Sequence, residues 1–272
     1  MKRSWTKEYL EILLRGNDPR EFIKEKLPKH LFKYCNFQDK NHLDNLRNSI
    51  GYLSPADKFN DPYDSRLYAS REITKDGRIF DLNNVSDFFQ EKIKVASFSA
   101  SCIEKSLLMW GHYAHYHKGF CIKYDTQEIL KLENILLPVI YDDKQFDLTN
   151  DRIKLKIEEK SDINILITGL IKYLQWEYEE EWRLIQMDKS DNTGITFEIP
   201  KPKAIYLGTK IRPENKIEIA KIAIEKQIPV CQMSFAETGK YELEKKEIKI
   251  EELKKLVEIW ENTHKHVSSC GK

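Results

Sequence analysis

Apolar side chains at Trp5, Tyr9, Leu10, Leu13 and Leu14 recur at helical spacing. Asn17-Asp18-Pro19 breaks that run, and a second helix reaches about Lys26, so residues 5–27 read as helical. After Pro28, Leu31-Phe32-Lys33-Tyr34 predicts a short strand. Leu43, Leu46 and Ile50 give residues 41–50 one apolar helical stripe, which Gly51 ends. Tyr52-Leu53-Ser54 predicts a strand and Asn60-Asp61-Pro62 a turn. Further helices are expected over 81–92, 126–132 and 150–174, and from a capping box at Ser101-x-x-Glu104 through about Ala114. Strands are expected at Lys94–Ala100, Gly119–Tyr124, Thr193–Ile199, Ala204–Ile211 and Ile228–Phe235. Pro213 opens a helix with Ile217, Ala220 and Ile224 inward, making 203–235 a strand-helix-strand unit. The last helix spans about 248–264. Residues 178–185 fit a strand or a helix.

Helices and strands interleave without a strict repeat, which predicts an α+β fold. Its centre would be a mixed, mainly antiparallel sheet flanked by helices. No linker, repeat or low-complexity tract divides the 272 residues. A single domain is expected, with a helical appendage over 1–27, a core over 28–240 and a C-terminal helix and tail over 245–272.

Composition narrows the function classes. Basic side chains number 45 and acidic ones 44, which removes the global charge excess of a strongly basic nucleic-acid binder. Five scattered cysteines without a Cys-x-x-Cys suggest reduced thiols rather than a disulfide framework. The start lacks the apolar run of a signal peptide. The longest apolar segment, Ile163–Leu174, is short of a membrane span and contains Lys172. A cytoplasmic protein without membrane contact is therefore expected.

Four segments carry chemistry. In a strand at Val95–Ala100, Ala96, Phe98 and Ala100 share one face and Ser97 and Ser99 the other. The hydroxyls then face a cleft or solvent, and an ordinary half-exposed strand gives the same pattern. In Tyr178–Leu184, a strand would put Glu179, Glu181 and Arg183 in one row. Close carboxylates push one another's pKa up, while an arginine holds its partner ionised. A helix would make Glu179 and Arg183 an ordinary surface pair. Met109–Phe120 supplies Trp110, His112 and Tyr113 as stacking faces and donors, or as a packed aromatic helix. Of its histidines at 112, 115 and 117, His115 and His117 would diverge on a helix and no carboxylate is placed with them, so no metal is expected. Phe59–Asp64 reads as a turn, or as a loop presenting Asn60 and Asp61. No phosphate-cradling glycine motif is present.

Taken in order, Leu31–Tyr34, Leu53-Ser54, Phe59–Pro62, Ser97–Ser99, Met109–Tyr113, His117–Ile122, Trp176, Tyr178-Glu179 and Glu181–Arg183 resemble the bacterial domain-of-unknown-function 2971 family. Cys35 stands where that family often has arginine. The layout is also similar to ADP-ribosyltransferases, with a polar residue on a first strand, a Ser-x-Ser strand and a late Glu-x-Glu. That second resemblance implies a split sheet and NAD as co-substrate. It also implies a catalytic set of Glu181, Glu179 and Ser97. Lys33, Tyr34, Ser99, Asn60, Trp110, His112, Tyr113 and Arg183 would bind the nucleotide. The acceptor would be a protein or nucleic acid, and the setting an anti-phage or toxin effector. Two other readings remain open: a metal-dependent nuclease or hydrolase using Asp61, Glu179 and Glu181, and a non-catalytic nucleotide-sensing module.

Overall fold

The structure is a computed structural model that describes residues 5–66, 72–73, 79–80, 90–146, 166–188 and 193–269. The chain forms two compact units, each drawn from three separated stretches. The first comprises residues 1–28, 51–99 and 130–197, and the second residues 29–50, 100–129 and 198–272.

The first unit opens with the helix Thr6–Leu14, which buries Tyr9 and Leu13. Gly16 turns the chain at a positive φ of 76°, and Asp18 accepts from the backbone and side chain of Arg20 to start the helix Arg20–Ile23. The helical reading of 5–27 thus holds. The sheet of this unit centres on the strand Ile93–Ser99. The strand Glu181–Met187 lies antiparallel to it, pairing Glu181 with Ser99 and Arg183 with Ser97. Strand Ile135–Pro138 continues on the far side of Glu181–Met187, and Ile50–Pro55 pairs with Ile93–Ser99 at Ser54 and Val95. A short parallel pair, Ile140–Asp142 with Ile171–Tyr173, stands apart. Gly51 lies in a strand rather than at a helix end, and a side chain there would strike the Phe197 ring at 2.2 Å.

The second unit contains the antiparallel strands His30–Cys35 and Phe120–Asp125. Ala204–Leu207 extends this sheet, followed by Val230–Phe235 in parallel and Leu243–Ile248 in antiparallel pairing. The helix Pro213–Lys226 joins the parallel pair and buries Ile217, Ile219, Ala220, Ile222 and Ala223. The predicted strand-helix-strand unit is therefore present. Helix Lys40–Asn48 starts on Asp39, whose side chain accepts from the Asn41 N–H, and ends on Ser49 in the left-handed region. Helix Ile250–Ser269 completes the unit.

The α+β expectation, with mixed and mainly antiparallel sheet flanked by helices, is borne out. Several local expectations are not. Ser101 and Glu104 form no capping box; the helix begins at Leu107 and stops at His112. Ser101 instead meets the Ser106 hydroxyl at 2.8 Å, and Glu104 pairs with Lys245. His115, Tyr116 and His117 all take left-handed backbone angles, so they continue no helix. Residues 171–173 form a strand, not the end of a helix. Most of the helices expected over 81–92 and 150–174 lies outside the described residues. No helix among the described residues is long and apolar enough to cross a membrane.

Candidate functional site

The Tyr178–Arg183 segment is neither one strand nor one helix. A 3-10 helix runs through Leu174–Glu179, and Glu180 then takes left-handed angles of φ 45° and ψ 46°. Strand Glu181–Met187 starts at the next residue. This single reversal leaves Glu180 exposed and buries Glu179 and Glu181 on either side of it. Two hydroxyls fix the turn: Ser99 donates to the Glu179 carbonyl at 2.6 Å, and the Glu181 N–H donates to the Tyr141 hydroxyl at 2.8 Å.

The expected polar face is not turned to water. The strand Ile93–Ser99 is buried along most of its length, with Ser99 and even Lys94 enclosed and Ser97 half-buried. Facing it, Arg183 is fully buried and uses every N–H it has. Its Nε donates to Glu181 at 2.9 Å. One terminal nitrogen donates to the Ser65 hydroxyl at 3.0 Å and the Gly169 carbonyl at 2.8 Å. The other reaches both Asp64 oxygens, at 2.8 and 2.7 Å, and Glu181 at 3.2 Å. The Phe59 ring lies 5.0 Å from the guanidinium carbon.

Lys172 supplies the second cation. Its ammonium lies 2.6 Å from Glu179, 2.9 Å from Glu181 and 3.3 Å from Asp64. Three buried carboxylates thus share two buried cations. Every carboxylate touches at least one cation, as charges held out of water require, although the five groups sum to one net negative charge. Burial alone would push the Glu181 carboxyl up, but Arg183 and then Lys172 outweigh it and hold Glu181 well below the usual carboxylate range. A hydrogen bond from Ser97 acts in the same direction. Burial alone would lower Lys172, and Glu181 and Asp64 reverse this, so its ammonium stays charged far into the alkaline range. Glu181 is therefore a fixed anion and Lys172 a fixed cation at any ordinary pH. Neither exchanges protons readily while the cluster is intact.

Lys172 also lines a pocket of about 250 Å³ with Asp61, Tyr63, Arg66, Asp142 and Tyr173 among its walls. Asp61 is held by Trp176, whose indole N–H donates to it at 2.7 Å. Trp176 in turn has the Lys172 ammonium 5.3 Å above its ring. The pocket and the buried carboxylates therefore share one residue, Lys172.

Of the residues singled out from the sequence, Ser97, Ser99, Glu179, Glu181 and Arg183 converge. Asn60 is in the first unit too, exposed on its turn, and Asp61 and Asp64 make the contacts. Lys33, Tyr34, Trp110, His112 and Tyr113 belong to the second unit. There Tyr34 meets Trp110 edge-on at 5.3 Å, and Trp110 donates to the Ile103 carbonyl at 3.1 Å. Trp110 is wholly enclosed and offers no open ring face, whereas His112 is exposed. Asp64, Ser65 and Lys172 were not anticipated. Their signals were present: Asp64 closes the Asn60-Asp61-Pro62 turn, and Lys172 is a lone charge inside an apolar run.

Residues 109–184 match the family model described as "Protein of unknown function (DUF2971)". The match bears out the resemblance to that family. It takes in the aromatic segment from Met109, Lys172 and the Glu179–Arg183 turn, but not Asp64 or Ser97. No curated protein and no solved structure matches.

Proposed function

We propose that this chain cleaves NAD at the nicotinamide–ribose bond, as an ADP-ribosyltransferase or NAD-hydrolysing enzyme, with Glu181 as the fixed anion of its site. The supporting observation is the pairing of an enclosed, ionised Glu181 with the Ser97 hydroxyl, next to a residue that lines a pocket. Breaking this bond sends the electron pair to the nicotinamide nitrogen and leaves an oxocarbenium-like sugar, which water or an acceptor hydroxyl then captures. A carboxylate that cannot take up a proton stabilises that positive charge without reorganising. Glu179, one residue before the reversal, orients or deprotonates the acceptor.

The pocket suits one end of the dinucleotide. Its volume of about 250 Å³ fits a nicotinamide riboside better than a whole dinucleotide. Tyr63 and Tyr173 are exposed and offer ring faces, while Arg66 and Lys144 offer charge to the diphosphate. An NAD-consuming anti-phage or toxin effector is the setting this chemistry suits.

The metal-dependent hydrolase reading has less support. The three carboxylates that could surround a divalent ion already converge on Lys172, and Asp61 is engaged by Trp176.

The test is incubation of the purified chain with NAD and measurement of released nicotinamide. Glu181→Gln should lower the rate by about 10²–10³-fold, the usual cost of removing a preorganised charge partner. Ser97→Ala, a smaller change, should lower it less and guards against a folding defect. Undiminished turnover in Glu181→Gln, with unaltered near-UV circular dichroism, would overturn the proposal. Binding of NAD without turnover by the native chain would favour the nucleotide-sensing reading.

A further inference from the structure

The second unit carries a groove of about 1040 Å³ that the proposed chemistry does not use. Its walls come from helix Pro213–Lys226, helix Ile250–Ser269 and strand Val230–Phe235. Lys221 and Glu261 tie the two helices together at 3.1 Å. The lining is mostly apolar, with Ile217, Met233, Leu256, Ile259 and Trp260 prominent. Phe235 is 67% exposed and Ile259 57% exposed, which is unusual for large apolar side chains gathered at one site.

One charge in this setting lacks an opposite. Lys216 lines the groove half-buried, and its ammonium donates to the amide oxygen of Gln232 at 3.2 Å. Among the described residues no carboxylate pairs with it, although neighbouring Arg212 and Lys221 each have one. Burial disfavours its charged form. A half-desolvated ammonium gains most from an anion brought into the same groove. Lys255 also lines the groove and adds positive charge, while Glu252 is its one carboxylate. Cations thus outnumber anions along an apolar trough.

We propose that this groove binds an amphipathic monoanion, its acidic head on Lys216 and its apolar body against Met233, Leu256, Ile259 and Trp260. The volume lies at the upper end of small-molecule sites, as a chain-bearing ligand requires. The site is separate from the carboxylate cluster and does not depend on NAD cleavage.

Dodecanoate, dodecanol and dodecylamine, each titrated below its aggregation concentration and followed by calorimetry, test the proposal. Dodecanoate should bind saturably at one equivalent per chain, at least tenfold tighter than dodecanol, and dodecylamine should bind weakest. Lys216→Met, which keeps the apolar stem, should weaken dodecanoate about tenfold and leave dodecanol unchanged; Lys216→Arg should restore the anion preference. Far-UV circular dichroism establishes that each variant is folded, and Ile259→Asp, on an exposed position, should weaken both ligands. Equal binding of acid and alcohol, indifference to Lys216→Met, or no saturable binding would each overturn it. So would light scattering that shows two copies paired through this face and unaffected by dodecanoate.

Discussion

At the scale of single residues, the Asp64–Lys172–Glu179–Glu181–Arg183 cluster ties stability to pH at both ends. Glu181 is held below its ordinary value in the folded chain. The unfolded chain, titrating near ~4.3, therefore takes up the proton first as pH falls. The contribution of Glu181 is fully present above that value and drains away as acid is added. Lys172 is raised in the folded chain, so the unfolded chain loses its proton first, near ~10.4. Its contribution is present below that value and is lost above it. The contribution of these two groups to the urea midpoint should be constant between these limits and fall outside both. Glu181→Gln should flatten the acid limb and Lys172→Met the alkaline limb. Arg183→Met should cost about 3–5 kcal/mol, because it strands Asp64 and Glu181 in the interior with only Lys172 between them. A loss below 1 kcal/mol would mean that the cluster is hydrated rather than closed. The sequence showed which charges were unusual but not that they were buried. The row of Glu179, Glu181 and Arg183 was readable from alternation, yet its second cation and third carboxylate come from residues 11 and 119 positions from Arg183, a pairing that no local pattern encodes.

At the scale of elements, legibility followed the apolar pattern. Helix Pro213–Lys226 was readable because its inward residues repeat at helical spacing, and strand His30–Cys35 because a short apolar-rich run follows Pro28. Strand Leu243–Ile248 was missed because Glu244, Lys245, Lys246 and Glu247 are all exposed, and backbone pairing with Val230–Phe235 alone defines it. Lysines on such a strand are common where a sheet ends. Ile135–Pro138, Ile140–Asp142 and Ile171–Tyr173 are too short to show a period. Turn backbone gives a pair of predictions of opposite sign. Gln227 closes helix Pro213–Lys226 at φ 53° with its side chain exposed, so Gln227→Gly should stabilise by about 0.5–1 kcal/mol. Gly119 is packed so tightly that a Cβ would lie 2.1 Å from the Cys35 carbonyl oxygen. Gly119→Ala should therefore part strands His30–Cys35 and Phe120–Asp125 locally and lower the melting temperature by several degrees (~2–4 °C for each kcal/mol in a chain of this size). Thermal melts of the two variants decide both.

At the scale of the whole molecule, the order of the chain argues against any contiguous half folding alone. A cut between residues 129 and 130 falls on a boundary between stretches of the two units, yet divides both units. Fragment 1–129 would keep strand Ile93–Ser99 but lose Glu181–Met187, its partner along the full length. It would also keep Asp64 without Arg183 and Lys172. Fragment 130–272 would keep Ala204–Leu207 but lose Phe120–Asp125, and would hold Arg183, Lys172, Glu179 and Glu181 without Asp64. Each fragment thus exposes a sheet edge, and fragment 1–129 also carries Asp64 without either of its cations. Neither should show cooperative urea unfolding by circular dichroism, while an equimolar mixture should recover part of the native signal because every missing partner is then supplied. Pairings at such long sequence separation also fold slowly, since loop closure precedes any gain from the contacts. Refolding of the intact chain should accordingly be slower than that of a helical protein of equal size. Cooperative, stable unfolding of fragment 130–272 alone would show that the pairing of Ile93–Ser99 with Glu181–Met187, and the Asp64 bond to Arg183 with it, is dispensable to the fold.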